Sequence, residues 1–233
     1  MTCLPSCERS LHLLRNSKDM KQSVDYSLYL VTDTGLCPDG NIIDVAMKAV
    51  EGGATIVQIR EKNMPSRDFF QLALAMKKNL GRTGVPLIIN DRVDIAIASG
   101  ADGVHVGQTD LPGSVVREMV GPDKIVGISI NTLTQIDEAI SHGADYLSLS
   151  PVFPTPTKPD TTKPFGIEGL VKARGMTAMP MITIGGINLA NTGEIIATGM
   201  DGVAVVSAIC SARSPRAAAR ELAGIIRKSR QAG

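Results

Sequence analysis

A chain of 233 residues with 24 Lys and Arg against 23 Asp and Glu, 43% hydrophobic residues and a mean hydropathy of +0.10 holds enough apolar material for a large core. That balance excludes a disordered chain and a binder of phosphate backbones, and 3% aromatics without Trp removes the stacking platforms that single-stranded nucleic acid needs. No window approaches the ~20 apolar residues of a membrane span; of Cys3, Cys7, Cys37 and Cys210 only the first two lie close together, with no nearby His or second pair to complete a metal site, and a chain of this size does not call for a disulfide framework. The expectation is a cytoplasmic protein with free thiols that acts on small molecules, with no nucleic-acid or membrane partner. Whether it forms a homo-oligomer is left open.

Residues 1–25 mix charged and polar residues without periodicity and are expected as a tail or a short covering helix, ahead of one catalytic domain over 26–233. From residue 28 short apolar runs alternate with longer segments. The runs are LYLVTD (28–33), TIVQIR (55–60), PLIIND (86–91), GVHVG (103–107), KIVGIS (124–129), YLSLSPV (146–152), MITIGG (181–186) and GVAVVSAI (202–209). Each is too short for a helix and rich in Val and Ile, so they predict eight buried parallel strands. Segments of helical length such as 41–51, 66–80, 132–142 and 188–198 lie between them, the alternation of an α/β fold.

A repeat sharpens this. Gly53-Ala-Thr, Gly100-Ala-Asp, Gly143-Ala-Asp and Gly199-Met-Asp each end a helical segment and lead into an even-numbered strand. Glycine suits a left-handed helix terminus, and a fourfold βαβα repeat predicts a closed (β/α)8 TIM barrel as a single domain. The rival, an open doubly wound sheet, wants a glycine-rich dinucleotide turn after its first strand, and Thr32-Asp33-Thr34-Gly35 is not one.

Catalytic groups of such barrels come from the C-terminal strand ends. Along the second strand Gln58, Arg60 and Lys62 share one face and Val57 and Ile59 the other. Turning the apolar pair toward the helices aims Arg60 and Lys62 into the mouth as a polyanion site. The alternative use for Arg60 and Glu61 is as solvated strand-end charges. Asp91 ends the third strand and Asp110 lies three residues beyond the fourth, close enough to approach one Mg²⁺; the competing use of both is helix capping. The Pro-, Thr- and Lys-rich segment 153–165 is expected as a lid in which Lys158, Thr155 and Thr157 bond a phosphate or heteroatom; the alternative is a surface loop without a role. Gly185-Gly186 after the seventh strand and Ser207 after the eighth suit a phosphate cradle. His105, on the fourth strand beside the mouth, reads as a packed, hydrogen-bonded core residue.

At YLVTD (29–33), GGATIVQIREK (52–62), PLIINDRVDIAIASGADGVHVGQTDLP (86–112), PVFPTPTK (151–158), IGGI (184–187) and DGVAVVSAI (201–209) the chain resembles the thiamine-phosphate synthase family. The resemblance implies a transferase that condenses 4-amino-2-methyl-5-(diphosphooxymethyl)pyrimidine with 4-methyl-5-(2-phosphooxyethyl)thiazole, releasing pyrophosphate through a dissociative pyrimidine cation. It implies that the pyrimidine diphosphate is held by Gln58, Ile59, Arg60, Glu61, Lys62, Asn90, Ser129 and Lys158. Mg²⁺ falls to Asp91 and Asp110, and the thiazole phosphate to Thr155, Pro156, Thr157, Gly186, Val206 and Ser207. Arg60, Lys62, Ser129 and Lys158 are the implied catalytic set. Asn131 stands where the family usually has His, and Leu149-Ser150-Pro151 replaces a more glycine-rich run.

Three rivals remain. A thiazole tautomerase-like isomerase needs a phosphate site but no acidic pair or diphosphate clamp. A non-catalytic ligand-binding barrel should have lost the charges at the mouth, and a phosphosugar isomerase leaves FPTPTK without a use. Arg60, Lys62, Asp91 and Asp110 are all present, which favours the synthase.

Overall fold

The computed structural model describes residues 24–37, 40–154 and 163–231. Eight parallel strands close into a barrel in sequence order: β1 (Leu28–Val31), β2 (Ile56–Ile59), β3 (Leu87–Asn90), β4 (Gly103–Val106), β5 (Ile125–Ile130), β6 (Tyr146–Leu149), β7 (Met181–Ile184) and β8 (Gly202–Val205). Pairing of Leu28 with Val203 and of Leu30 with Val205 completes the ring. Around it run α1 (Ile42–Gly52), α2 (Ser66–Leu80), α3 (Val93–Ser99), α4 (Gly113–Val120), α5 (Ile136–Ser141), α6 (Gly166–Met176), α7 (Thr192–Ala197), the short α8 (Ser207–Cys210) and α9 (Pro215–Gln231). The expected open-sheet rival is thereby excluded. Of the expected N-terminal tail, residues 1–23 lie outside the described residues.

Alternation along each strand divides the core in two. Leu28, Leu30, Val57, Ile59, Leu87, Ile89, Val104, Val126 and Leu147 face the helices, whereas Tyr29, Val31, Ile56, Ile88, Ile125, Tyr146, Ile182 and Ala204 fill the barrel. The fourfold repeat has a physical counterpart at the foot of the barrel. Gly53, Gly100, Gly143 and Gly199 all take positive φ at helix ends, as expected. The aspartates of three of these turns then receive an N–H from the start of the preceding odd strand: Leu87 N to Asp102, Val126 N to Asp145 and Met181 N to Asp201, each at 2.8 Å. A cation from the helix that precedes that odd strand pairs with each, Lys77 at 2.5 Å, Arg117 at 2.5 Å and Arg174 at 2.9 Å. In the first quarter Thr55 takes the place of the acid, its Oγ1 accepting from Leu28 N at 3.1 Å. Across the β1–β8 closure, Arg230 of α9 donates from Nη1 to Ser27 Oγ at 2.6 Å and from Nη2 to the carbonyl of Asp201.

Several boundaries differ from expectation. The run 202–209 is not one strand: β8 stops at Val205, and Ser207 opens α8 instead of ending the strand. The segment 188–198 shrinks to Thr192–Ala197 and 132–142 to a 3₁₀ turn followed by Ile136–Ser141, because Asn188 and Thr132 spend their side chains on turn hydrogen bonds. Among the described residues no helix is long and apolar enough to cross a membrane. Cys37 and Cys210 are free thiols, both buried.

Candidate active site

The C-terminal strand ends surround a cavity of about 380 Å³ that reaches down into the barrel. It gathers seven of the expected residues, Gln58, Arg60, Asn90, Ser129, Gly186, Val206 and Ser207, from β2, β3, β5 and the loops after β7 and β8. Ile59 turns the other way, fully buried in the layer facing the helices, so its side chain takes no part in the lining. Glu61 accepts a hydrogen bond from Thr34 Oγ1 and so fastens the β2 end to the turn after β1. Thr155, Pro156, Thr157 and Lys158 lie outside the described residues.

A charged corner forms beside the cavity. Asp91 and Asp110 are within hydrogen-bonding reach of each other, and the Lys62 ammonium stands 4.0 Å from Asp91. Burial, followed by the hydrogen bond and charge of Asp110, raises the Asp91 carboxyl from 3.8 to about 6, against the pull of Lys62 and Arg60. Neither aspartate caps a helix. Arg92 and Pro112 occupy the cap positions of α3 and α4, and Asp110 Oδ2 instead receives Gly107 N at 2.7 Å. Asp91 has φ +60, a left-handed conformation that side chains other than Gly and Asn or Asp seldom adopt. The left-handed turn at Asp91 brings its carboxylate beside that of Asp110, a pairing that a proton or a cation relieves.

The wall formed by β7 and β8 is of a different kind. Gly185 and Gly186 have φ +108 and +68, and a Cβ on Gly186 would lie 2.9 Å from Phe153 Cβ and 3.0 Å from the Pro154 carbonyl oxygen. The loop root is pressed onto them by Val152 N bonding Ile184 O at 3.0 Å and Phe153 N bonding Gly185 O at 3.2 Å. Ser207 and Ala208 open α8 and line the cavity, where first-turn N–H groups have no intrahelical acceptor. This wall presents backbone donors and little charge.

The floor holds what sequence reasoning missed. Gln58 Nε2 donates to Tyr29 Oη at 2.7 Å, Tyr29 Oη meets Tyr146 Oη at 2.8 Å, Tyr146 Oη meets His105 Nδ1 at 2.9 Å, and His105 Nε2 meets Ser129 Oγ at 2.8 Å. His105 is the buried, hydrogen-bonded residue expected, and it also lines the cavity. Burial pushes both tyrosine hydroxyls above their ordinary range, so they are neutral O–H groups. The available signal was parity: Tyr29 and Tyr146 fall on the inward face with Gln58, and a buried phenol needs a partner. Gly127 makes room for the chain, since a Cβ there would sit 2.1 Å from Tyr146 Cζ and 2.4 Å from His105 Nδ1.

Comparison with known proteins fits this geometry. The family model described as thiamine monophosphate synthase matches residues 28–209. A thiamine-phosphate synthase of Vibrio campbellii is 50% identical over 202 residues, 87% of this chain and 98% of the relative. One from Albidiferax ferrireducens is 46% identical over 199 residues, 85% of this chain and 91% of the relative. The solved thiamine phosphate pyrophosphorylase from Pyrococcus furiosus superposes with a TM-score of 0.81 at 37% identity, covering 88% of this chain and 98% of that one. With a closed barrel, a match spanning most of its length and relatives at this identity, the chain belongs to the thiamine monophosphate synthase family.

Proposed function

We propose that the chain joins 4-amino-2-methyl-5-(diphosphooxymethyl)pyrimidine to 4-methyl-5-(2-phosphooxyethyl)thiazole, giving thiamine phosphate and pyrophosphate. The observation that carries this reading is one mouth with two unlike walls, each suited to an anion. Arg60, Lys62 and the Asp91–Asp110 corner stand at the β2–β4 side, and a backbone cradle of Gly186, Val206 and Ser207 stands at the β7–β8 side. The charged side suits a diphosphate and the cradle a monoester.

The acidic corner fits Mg²⁺. It offers two carboxylates, and the described residues hold no group of three or more His, Cys, Asp or Glu able to grip an ion alone. Magnesium takes its remaining ligands from water and phosphate oxygens. Bound there, it would supply charge neutralisation to the diphosphate.

In the reaction the bond between the pyrimidine methylene and the diphosphate oxygen breaks, and the electron pair leaves with pyrophosphate. The thiazole nitrogen then attacks the methylene carbon. No nucleophilic side chain is called for, so the protein positions, neutralises and keeps water out. Arg60 and Lys62 take up the charge growing on the leaving group. Gln58, Asn90 and Ser129 hold the pyrimidine diphosphate, and the Gly186–Ser207 cradle aims the thiazole. Roles for Thr155, Pro156, Thr157 and Lys158 as the closing lid rest on the family resemblance.

The test is a pyrophosphate-release assay with purified protein. Release is expected only when both phosphorylated substrates and Mg²⁺ are supplied. Turnover of the thiazole phosphate alone would move the chain to the tautomerase-like reading.

A further inference from the structure

The hydrogen-bond chain under the cavity has a direction. A phenol or serine hydroxyl carries one proton, and a neutral imidazole carries one on one of its two nitrogens. Because Gln58 Nε2 donates to Tyr29, the Tyr29 proton passes to Tyr146 and the Tyr146 proton to His105 Nδ1. The imidazole proton therefore sits on Nε2 and points at Ser129 Oγ, which leaves the serine hydrogen for the cavity. Reversing the chain would bring two donors to the Tyr29 oxygen and strand its own proton, although Tyr29 is completely buried and no further acceptor bonds it among the described residues. A stranded buried donor costs about 1–3 kcal/mol. The two ends consequently show the cavity fixed faces: the bond from Nε2 to Tyr29 orients the Gln58 amide, which keeps its carbonyl oxygen as acceptor and its second N–H as donor, and Ser129 offers an O–H.

We propose that the Gln58–Tyr29–Tyr146–His105–Ser129 chain is the device by which this barrel selects an amino-substituted pyrimidine over its oxo counterpart, with Tyr29 and Tyr146 as positioning residues that never touch the substrate's reacting atoms. The inference rests on the reading of the cavity as the pyrimidine site. An aminopyrimidine presents N–H donors on its exocyclic nitrogen and bare acceptors at its ring nitrogens. The oxo analogue presents an acceptor outside and puts a proton on the ring. An acceptor at Gln58 and a donor at Ser129 match the first and oppose the second, and buried polar groups left facing like groups are what make such sites selective. The phenols matter because they fix which way the terminal protons point, as a satisfied polar network in a dry core does.

The experiment compares kcat/KM for the 4-amino and 4-oxo pyrimidine diphosphates, with the thiazole phosphate and Mg²⁺ saturating, in wild type, Tyr146→Phe and Tyr29→Phe. Wild type is expected to favour the amino substrate by about 100-fold or more. Each phenylalanine keeps the ring and cuts the chain, and should lower that ratio by about 10-fold, the oxo substrate losing less than the amino one. The double variant should be little worse than either single one, since a cut chain cannot be cut again. A loss equal for both substrates, ratio unchanged, is what a packing role gives and overturns the inference alone. No turnover of the amino substrate by wild type overturns the parent reading and this one with it. Independently of folding in the variants, nitrogen-15 shifts of His105 in wild type should show the proton on Nε2; a proton on Nδ1 refutes the direction assigned.

Discussion

Asp91→Asn should make the metal-free protein more stable while disabling it. Asp91 is held at about 6 in the folded chain against 3.8 in its absence, so between those values the native state keeps a proton that the unfolded state has released. Stability from this group is therefore fully present below pH 4, declines as pH rises through about 6, and is gone above 7. At ~1.4 kcal/mol per pH unit the rise corresponds to at most about 3 kcal/mol. The side chain is 26% exposed and shares its burden with Asp110, and solvent at the mouth brings the expected gain to about 1–2 kcal/mol. Asparagine is the apt probe because it accepts the φ of +60 that Asp91 adopts. Thermal unfolding in chelator should show the variant melting about 3–6 °C above wild type at pH 8, with roughly half that gain at pH 5. Millimolar Mg²⁺ should raise the wild-type midpoint and leave the variant where it was. A variant that melts lower than wild type, or whose gain is the same at both pH values, would refute the idea that the two carboxylates are forced together to receive a cation.

Two further substitutions probe the walls of the cavity. Gly186→Ala forces a Cβ against Phe153 and Pro154 at a positive φ; KM for the thiazole phosphate should rise about 10-fold or more in steady-state assays, with little change for the pyrimidine diphosphate, and an unaltered thiazole KM would count against the backbone cradle. Gly127→Ala drives a methyl into Tyr146 and His105; denaturant unfolding should report a loss of about 3 kcal/mol, and a neutral result would mean that the floor of the barrel is not closely packed.

The barrel was legible because the strands are short runs rich in Val, Ile and Leu, and Gly100-Ala-Asp and its echoes punctuate the entry to every even-numbered one. Arg60, Asp91 and Asp110 stood out because charges next to apolar runs have no use in a core. The same logic concealed Tyr29 and Tyr146. A tyrosine inside a hydrophobic run looks like filling, and only the closed ring shows that residues 117 positions apart meet hydroxyl to hydroxyl. Ser207 was misplaced at a strand end because GVAVVSAI is apolar throughout, and neither helix nor strand periodicity divides it. The left-handed turn at Asp91 had no sequence signal, since the residue types that permit it are common in ordinary turns.

The closure between β1 and β8 also has a consequence for how the protein is made. Of the eight strands β1 is made before all the others, yet its partner on one side is β8, and the bridge from Ser27 to the Asp201 carbonyl is supplied by Arg230 of α9. Three of the four quarters carry their own carboxylate staple and can consolidate as they emerge; the quarter built on Thr55 carries none. During synthesis β1 therefore waits with one edge unpaired, the exposure by which nascent chains capture one another. The ring closes only once β8 is made, so a chain stalled before that strand holds its sheet open along β1.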